Sequence, residues 1–158
     1  MKKVLAVILG FYIGIVVFMP KKDIFYTLTY KLPKTDVIAN ISQTPISLDI
    51  KNAKIYYAGI KSVFLQKLTV YPLIFFNAAV LQDTKINLGN YIIKKTFIFY
   101  TPFYPFKIFV KGKGNFGNFE GFVDIKNRYV KIFFKNPKNN IKAFLQKNSK
   151  GYFYYESF

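Results

Sequence analysis

The chain has 158 residues, enough for one domain of ordinary size beside an apolar leader. It contains no Cys and no His, which excludes a disulfide framework, a Cys/His zinc site, a thiol nucleophile and a histidine-activated serine. The net charge is +17, yet Arg128 is the single arginine. A phosphate reader would use arginine forks, so the charge reads as a solvated basic face or one that touches anionic lipid, not nucleic acid.

The amino terminus carries the clearest signal. Val4 to Met19 contains no charged residue, follows Lys2 and Lys3, and is closed by Pro20, Lys21 and Lys22. It is slightly short of the roughly 20 apolar residues of a spanning helix, and lysine stems at both ends extend it. The expectation is an uncleaved signal anchor, because no small-residue cleavage triplet follows. A cleaved signal and a buried core helix are the alternatives. Lysine counts on the two sides are nearly even, so orientation from charge alone is open; the short leading tail favours the amino terminus inside.

Residues 1–22 thus read as a membrane anchor and 23–35 as a juxtamembrane linker. Ile24, Phe25, Leu28 and Leu32 fall near helical spacing before Pro33, placing Phe25, Tyr26 and Tyr30 at headgroup level. A plain linker is the competing reading.

Residues 36–158 read as one extracytoplasmic β-domain. Val37, Ala39 and Ile41 alternate with polar residues, as do Ile46, Leu48 and Ile50. Asn52-Ala53 marks a bulge or a tight turn, and Ile55 and Tyr57 continue. Lys61–Tyr71 is a further strand, and the apolar run Leu73–Leu81 reads as a strand buried on both faces. Tyr91–Tyr100 follows, then a meander of Phe106–Lys111, Asn118–Ile125 and Tyr129–Lys135, with Asn127-Arg128 in the last turn. Asn136-Pro137 predicts a short helix over Pro137–Lys147, with Ile141, Phe144 and Leu145 on one face and Gly151 past its end. Tyr152–Phe158 returns as a strand. The expected fold is mainly β: an N-terminal transmembrane helix, an antiparallel open jelly-roll or curved sheet, and one short C-terminal helix.

Chemistry is sparse. Gly112, Gly114 and Gly117 form a literal G-x-G-x-x-G, but strand-like sequence follows where a pyrophosphate cradle needs a helix. A glycine-rich hairpin loop is expected there. Among Asp23, Asp36, Asp49, Asp83, Glu120, Asp124 and Glu156, Glu120 and Asp124 are spaced to share a strand face, more as solvent-facing acids among lysines than as a catalytic pair. No catalytic residue, cofactor site or metal site is assigned. The aromatic clusters from Phe97 to Phe106 and from Tyr152 to Tyr155 read as core packing, or as an open apolar groove for acyl chains or a partner's strand.

With these residues in view, the chain resembles the type II secretion system protein N family and, more loosely, AsmA-like envelope proteins. The resemblance is carried by the anchor with its aromatic, Pro-terminated sequel and by Ile46-Ser-Leu-Asp-Ile-Lys-Asn-Ala-Lys-Ile-Tyr-Tyr57. Further parts are Gly114-Asn-Phe-Gly-Asn-Phe-Glu-Gly-Phe-Val-Asp-Ile125 with Arg128-Tyr-Val-Lys-Ile132, and a short helix before an aromatic C-terminus. It implies a non-enzymatic, single-pass protein of the bacterial inner membrane. Its β-domain would lie in the periplasm and contact subunits of an export complex for protein transport. The alternative is a lipid-binding or lipid-transfer module of the envelope with an apolar β groove.

Overall fold

A computed structural model describes residues 2–87, 90–149 and 151–158. Two helices lead into the sheet: α1 (Lys2–Phe18) and α2 (Lys21–Tyr30). Then come β1 (Thr35–Gln43), β2 (Leu48–Tyr57), β3 (Ile60–Pro72), β4 (Asn77–Ile86), β5 (Tyr91–Tyr100), β6 (Lys107–Gly114), β7 (Gly117–Asp124) and β8 (Tyr129–Lys135). The helical turn α3 (Asn139–Lys142) precedes β9 (Gln146–Asn148) and β10 (Gly151–Ser157). All strand pairs are antiparallel in one sheet of order β1-β2-β3-β4-β5-β6-β7-β8-β10-β9, which is a meander up to β8 and has free edges at β1 and β9.

Pro20 breaks the two helices, because its ring cannot continue the hydrogen-bond ladder. Among the described residues no single helix is long and apolar enough to cross a membrane; α1 and α2 together pass that test, bent by 56°. From Lys2 to Phe11 every α1 side chain is exposed, and contact with the sheet begins at Tyr12. Tyr12 donates its hydroxyl to the Leu73 carbonyl and stacks on Phe75, with ring centroids 5.5 Å apart. α2 lies along β1 and inserts Phe25 against the buried cluster of Leu48, Ile50, Ala53 and Leu65.

Two expectations need correction. The helix expected over Pro137–Lys147 is one turn, Asn139–Lys142, and Gln146–Asn148 instead pairs with β10 as the sheet's last strand. Asn136 adopts a positive φ of 53°, so it closes β8 rather than opening a helix. Leu73–Leu81 is not one buried strand either. β4 begins at Asn77, and Leu73–Phe76 forms an apolar turn with Ile74 at φ 65° and Phe75 and Phe76 exposed.

The sheet is creased. In β2 to β5 the inward alternation skips one residue at the same level. Ile50 and Ala53 both point inward, as do Leu68 and Leu65, Leu81 and Thr84, and Thr96 and Ile93. Between them Asn52, Gln66, Asp83 and Lys94 are exposed, and Asn52 and Asp83 take φ of 52° and 47°. β1 and β6 carry no such extra residue, so the register shifts at Ile38/Asn40 and Ile93/Lys95 bound the crease. Extra residues of this kind bend a strand and sharpen its twist.

Candidate functional site, an apolar sheet face

Directly paired residues share a face, so the register divides the side chains in two. One row runs Ile41, Ile50, Leu68, Leu81, Thr96, Gly112, Phe119, Phe134 and Tyr152, from β1 to β10. The next runs Leu48, Val70, Ala79, Ile98, Val110, Gly121, Ile132 and Tyr154. Both rows lack charge. Their members are buried or half-buried although the sheet has no second layer over most of its width. Burial of that kind arises when a sheet curls toward one face, and the crease supplies the bend.

The opposite face is basic and aromatic. One of its rows reads Lys51, Lys67, Gln82, Lys95, Lys113, Asn118 and Lys135. Lys95 sits over Phe97 at 4.7 Å, and Lys131 over both Phe133 and Phe153 at 5.4 Å. The aromatic clusters are therefore split by alternation. Tyr100, Tyr152 and Tyr154 line the inner face, Phe97, Phe99, Phe153 and Tyr155 the outer, and Phe103, Tyr104 and Phe106 belong to the turn after β5.

The inner face has distinct zones. α2 covers it at β1 and β2. At the end near the β6–β7 turn, Phe116 folds back beneath Tyr91, Phe119 and Phe134, with centroids 5.6 to 6.1 Å apart. A pocket of about 260 Å³ lies there under Ile141, Phe144 and Leu145 of the α3 segment. Between these zones Ala79, Leu81, Ile98, Val110 and Ile132 are half-buried. The hydroxyls of Thr84 and Thr96 face this strip, buried and without a protein partner.

The glycine motif serves this face. Gly112 and Gly114 lie within β6 and Gly117 opens β7, so the expected glycine loop shrinks to Asn115-Phe116. A β-carbon at Gly112 would lie 2.4 Å from Phe119 Cζ and 2.5 Å from Thr96 Oγ1. The missing side chains make room for flat aromatic rings, and no helix follows to receive a phosphate.

Glu120 and Asp124 share the outer face and are separately engaged. Glu120 faces Lys135 at 3.2 Å and Lys111 at 3.7 Å; Lys135 first, with Lys111 adding, holds its carboxyl below the ordinary range. Asp124 accepts from the Asn127 backbone N–H at 2.9 Å and from its side-chain amide at 3.1 Å, and that backbone bond chiefly lowers its pKa. Among the described residues no three acidic side chains gather as a metal site would require.

No protein-family model, curated protein or solved structure matches the chain. The fold and face define a single antiparallel sheet preceded by two helices, with a charge-free, half-buried inner face.

Proposed function

We propose that this is a non-catalytic, membrane-anchored envelope protein whose curled inner face holds lipid acyl chains. α1 is its anchor, and the sheet lies on the extracytoplasmic side of the inner membrane. The observation that carries the reading is the charge-free inner strip of Ala79, Leu81, Ile98, Val110 and Ile132, which no other element covers. A charge-free, half-buried apolar strip with no element packed over it has the lining expected of a site for an apolar ligand. Acyl chains suit it because it is apolar, elongated across several strands, and tethered to an apolar helix.

The test is lipid retention by the full chain purified in mild detergent. Acyl lipid should accompany the protein, and Ile98→Glu or Val110→Glu should remove it while the outer-face change Lys113→Glu does not. Lipid-free protein, or equal loss in all three variants, would sink the reading.

A second reading, a subunit of a type II secretion-like complex acting by contact, draws support from the free edge of β1. Its nine residues offer an unpaired backbone row that a partner strand can extend. Crosslinking in native membranes tests it: recovered secretion subunits support it, and recovery of none counts against it.

A further inference from the structure

The meander places the β1–β2, β3–β4, β5–β6 and β7–β8 turns at one end of the sheet, with Phe158 beside them through its N–H to the Arg128 carbonyl at 2.9 Å. The β3–β4 and β5–β6 tips there are apolar or aromatic and exposed, and the other two turns add Ile46 and Ile125 among polar residues. Phe103 is 70 % exposed, Phe158 65 %, Tyr104 61 %, and Ile46 and Phe76 54 % each. At the opposite end the β2–β3 tip is Ala58-Gly59, flanked by the exposed Tyr57 and Ile60, and the β6–β7 tip is Asn115 with the buried Phe116. Turns usually carry polar residues, so two neighbouring apolar and aromatic tips, β3–β4 and β5–β6, are unexpected for a surface facing water alone.

α1 meets the sheet at this same end. Its 17 residues span about 26 Å, against a hydrocarbon core of about 30 Å. Tyr12, stacked on Phe75, lies about 9 Å along the axis from the Phe18 end. Embedding α1 over its length therefore draws the β3–β4 turn below the level of Phe18. Lys126 sits over Phe106 at 5.9 Å and Lys107 over Phe122 at 5.3 Å, so basic groups stand just behind the aromatic tips. Aromatic side chains backed by lysines match the boundary of an anionic bilayer.

We infer that this end of the sheet is a rim that inserts into the anionic bilayer surface, seating the inner face directly on the membrane. Insertion of the rim rests on the proposed anchor α1, and what it delivers to the inner face rests on the acyl-chain reading. The rim shortens the path of an acyl chain, because lipid leaving the bilayer meets the inner face without crossing water.

The chain has no cysteine, so single cysteines can be introduced without competing thiols. The full chain is reconstituted in phosphatidylglycerol and phosphatidylethanolamine vesicles. An environment-sensitive fluorophore is attached at Phe76→Cys, Phe103→Cys or Tyr104→Cys, and at Lys61→Cys or Lys85→Cys near the other end. Brominated acyl chains should quench the rim labels and leave the other two bright, while aqueous iodide does the reverse. Rim labels quenched by iodide and untouched by brominated lipid overturn the rim, even if acyl lipid copurifies with the protein. Quenched rim labels in a protein that retains no lipid uphold the rim and overturn the acyl-chain reading instead.

Discussion

The side-chain nitrogen of Lys21 donates to the Val16 carbonyl at 2.8 Å while the residue as a whole is only 3 % exposed. Val16 lies in the last turn of α1, where carbonyls have no partner within the helix. The same nitrogen donates to the Pro45 carbonyl at 2.8 Å, so one side chain ties the helix end to the β1–β2 turn. Lys21→Met leaves the buried Val16 carbonyl unpaired and frees the Pro45 carbonyl of the exposed turn, and should destabilise the full chain in detergent by about 1–3 kcal/mol. Lys22→Met, on a half-buried neighbour, serves as the reference. Equal melting temperatures for the two variants would show that the tie is dispensable.

The glycines of β6 and β7 make a graded prediction. At Gly121 an added β-carbon would stand 2.1 Å from the Lys131 carbonyl oxygen, a backbone atom that moves only with its strand. At Gly112 its two nearest neighbours are a ring tip and a hydroxyl, which can shift, and the Lys95 carbonyl oxygen stands farther off at 3.0 Å. Gly112→Ala should therefore cost about 1–2 kcal/mol, and Gly121→Ala about 3 or more. Thermal unfolding of the two variants side by side checks the order. A milder effect at Gly121 than at Gly112 would contradict the close approach of β7 and β8.

Acid should weaken the fold through Glu120 and Asp124. Both carboxyls are lowered in the folded state, by Lys135 and then Lys111 for Glu120, and by the Asn127 N–H first for Asp124. A lowered folded value means the stabilisation is complete above the unfolded carboxyl range, about pH 4, and is lost as pH falls through the folded value. Melting temperatures should be level near neutral pH and decline below about pH 4. In Asp124→Asn together with Glu120→Gln that decline should be shallower. An unchanged slope would mean other groups govern it.

Much of the sheet was legible because period-two alternation is a local signal. The rows through Ile50 and Leu48 follow from it, and Asn52 was marked as a bulge or tight turn. The positions that misled share a physical cause. Turn signals are polar or glycine-rich, yet Leu73–Phe76 turns through apolar residues, so the lone Asn77 was the single sign of a break in Leu73–Leu81. Ile141, Phe144 and Leu145 have helical spacing, but their helical turn ends at Lys142, and β10 recruits Gln146–Asn148 as a strand partner. The crease and the uncovered inner face depend on aligned register across β2 to β5, a long-range relation that no single stretch of sequence displays. The split of the aromatic clusters between two faces and a turn depends on it as well.

Phospholipid carrying a photoactivatable group near the end of one acyl chain tests the central claim most directly. The full chain, in membranes containing that lipid, is irradiated and the adducts are mapped by mass spectrometry. The account predicts adducts on inner-face residues of β4 to β8, among them Ile98, Val110 and Ile132, and their loss in Ile98→Glu. Adducts confined to α1, α2 and the apolar turns, with the inner face unlabelled, would contradict it.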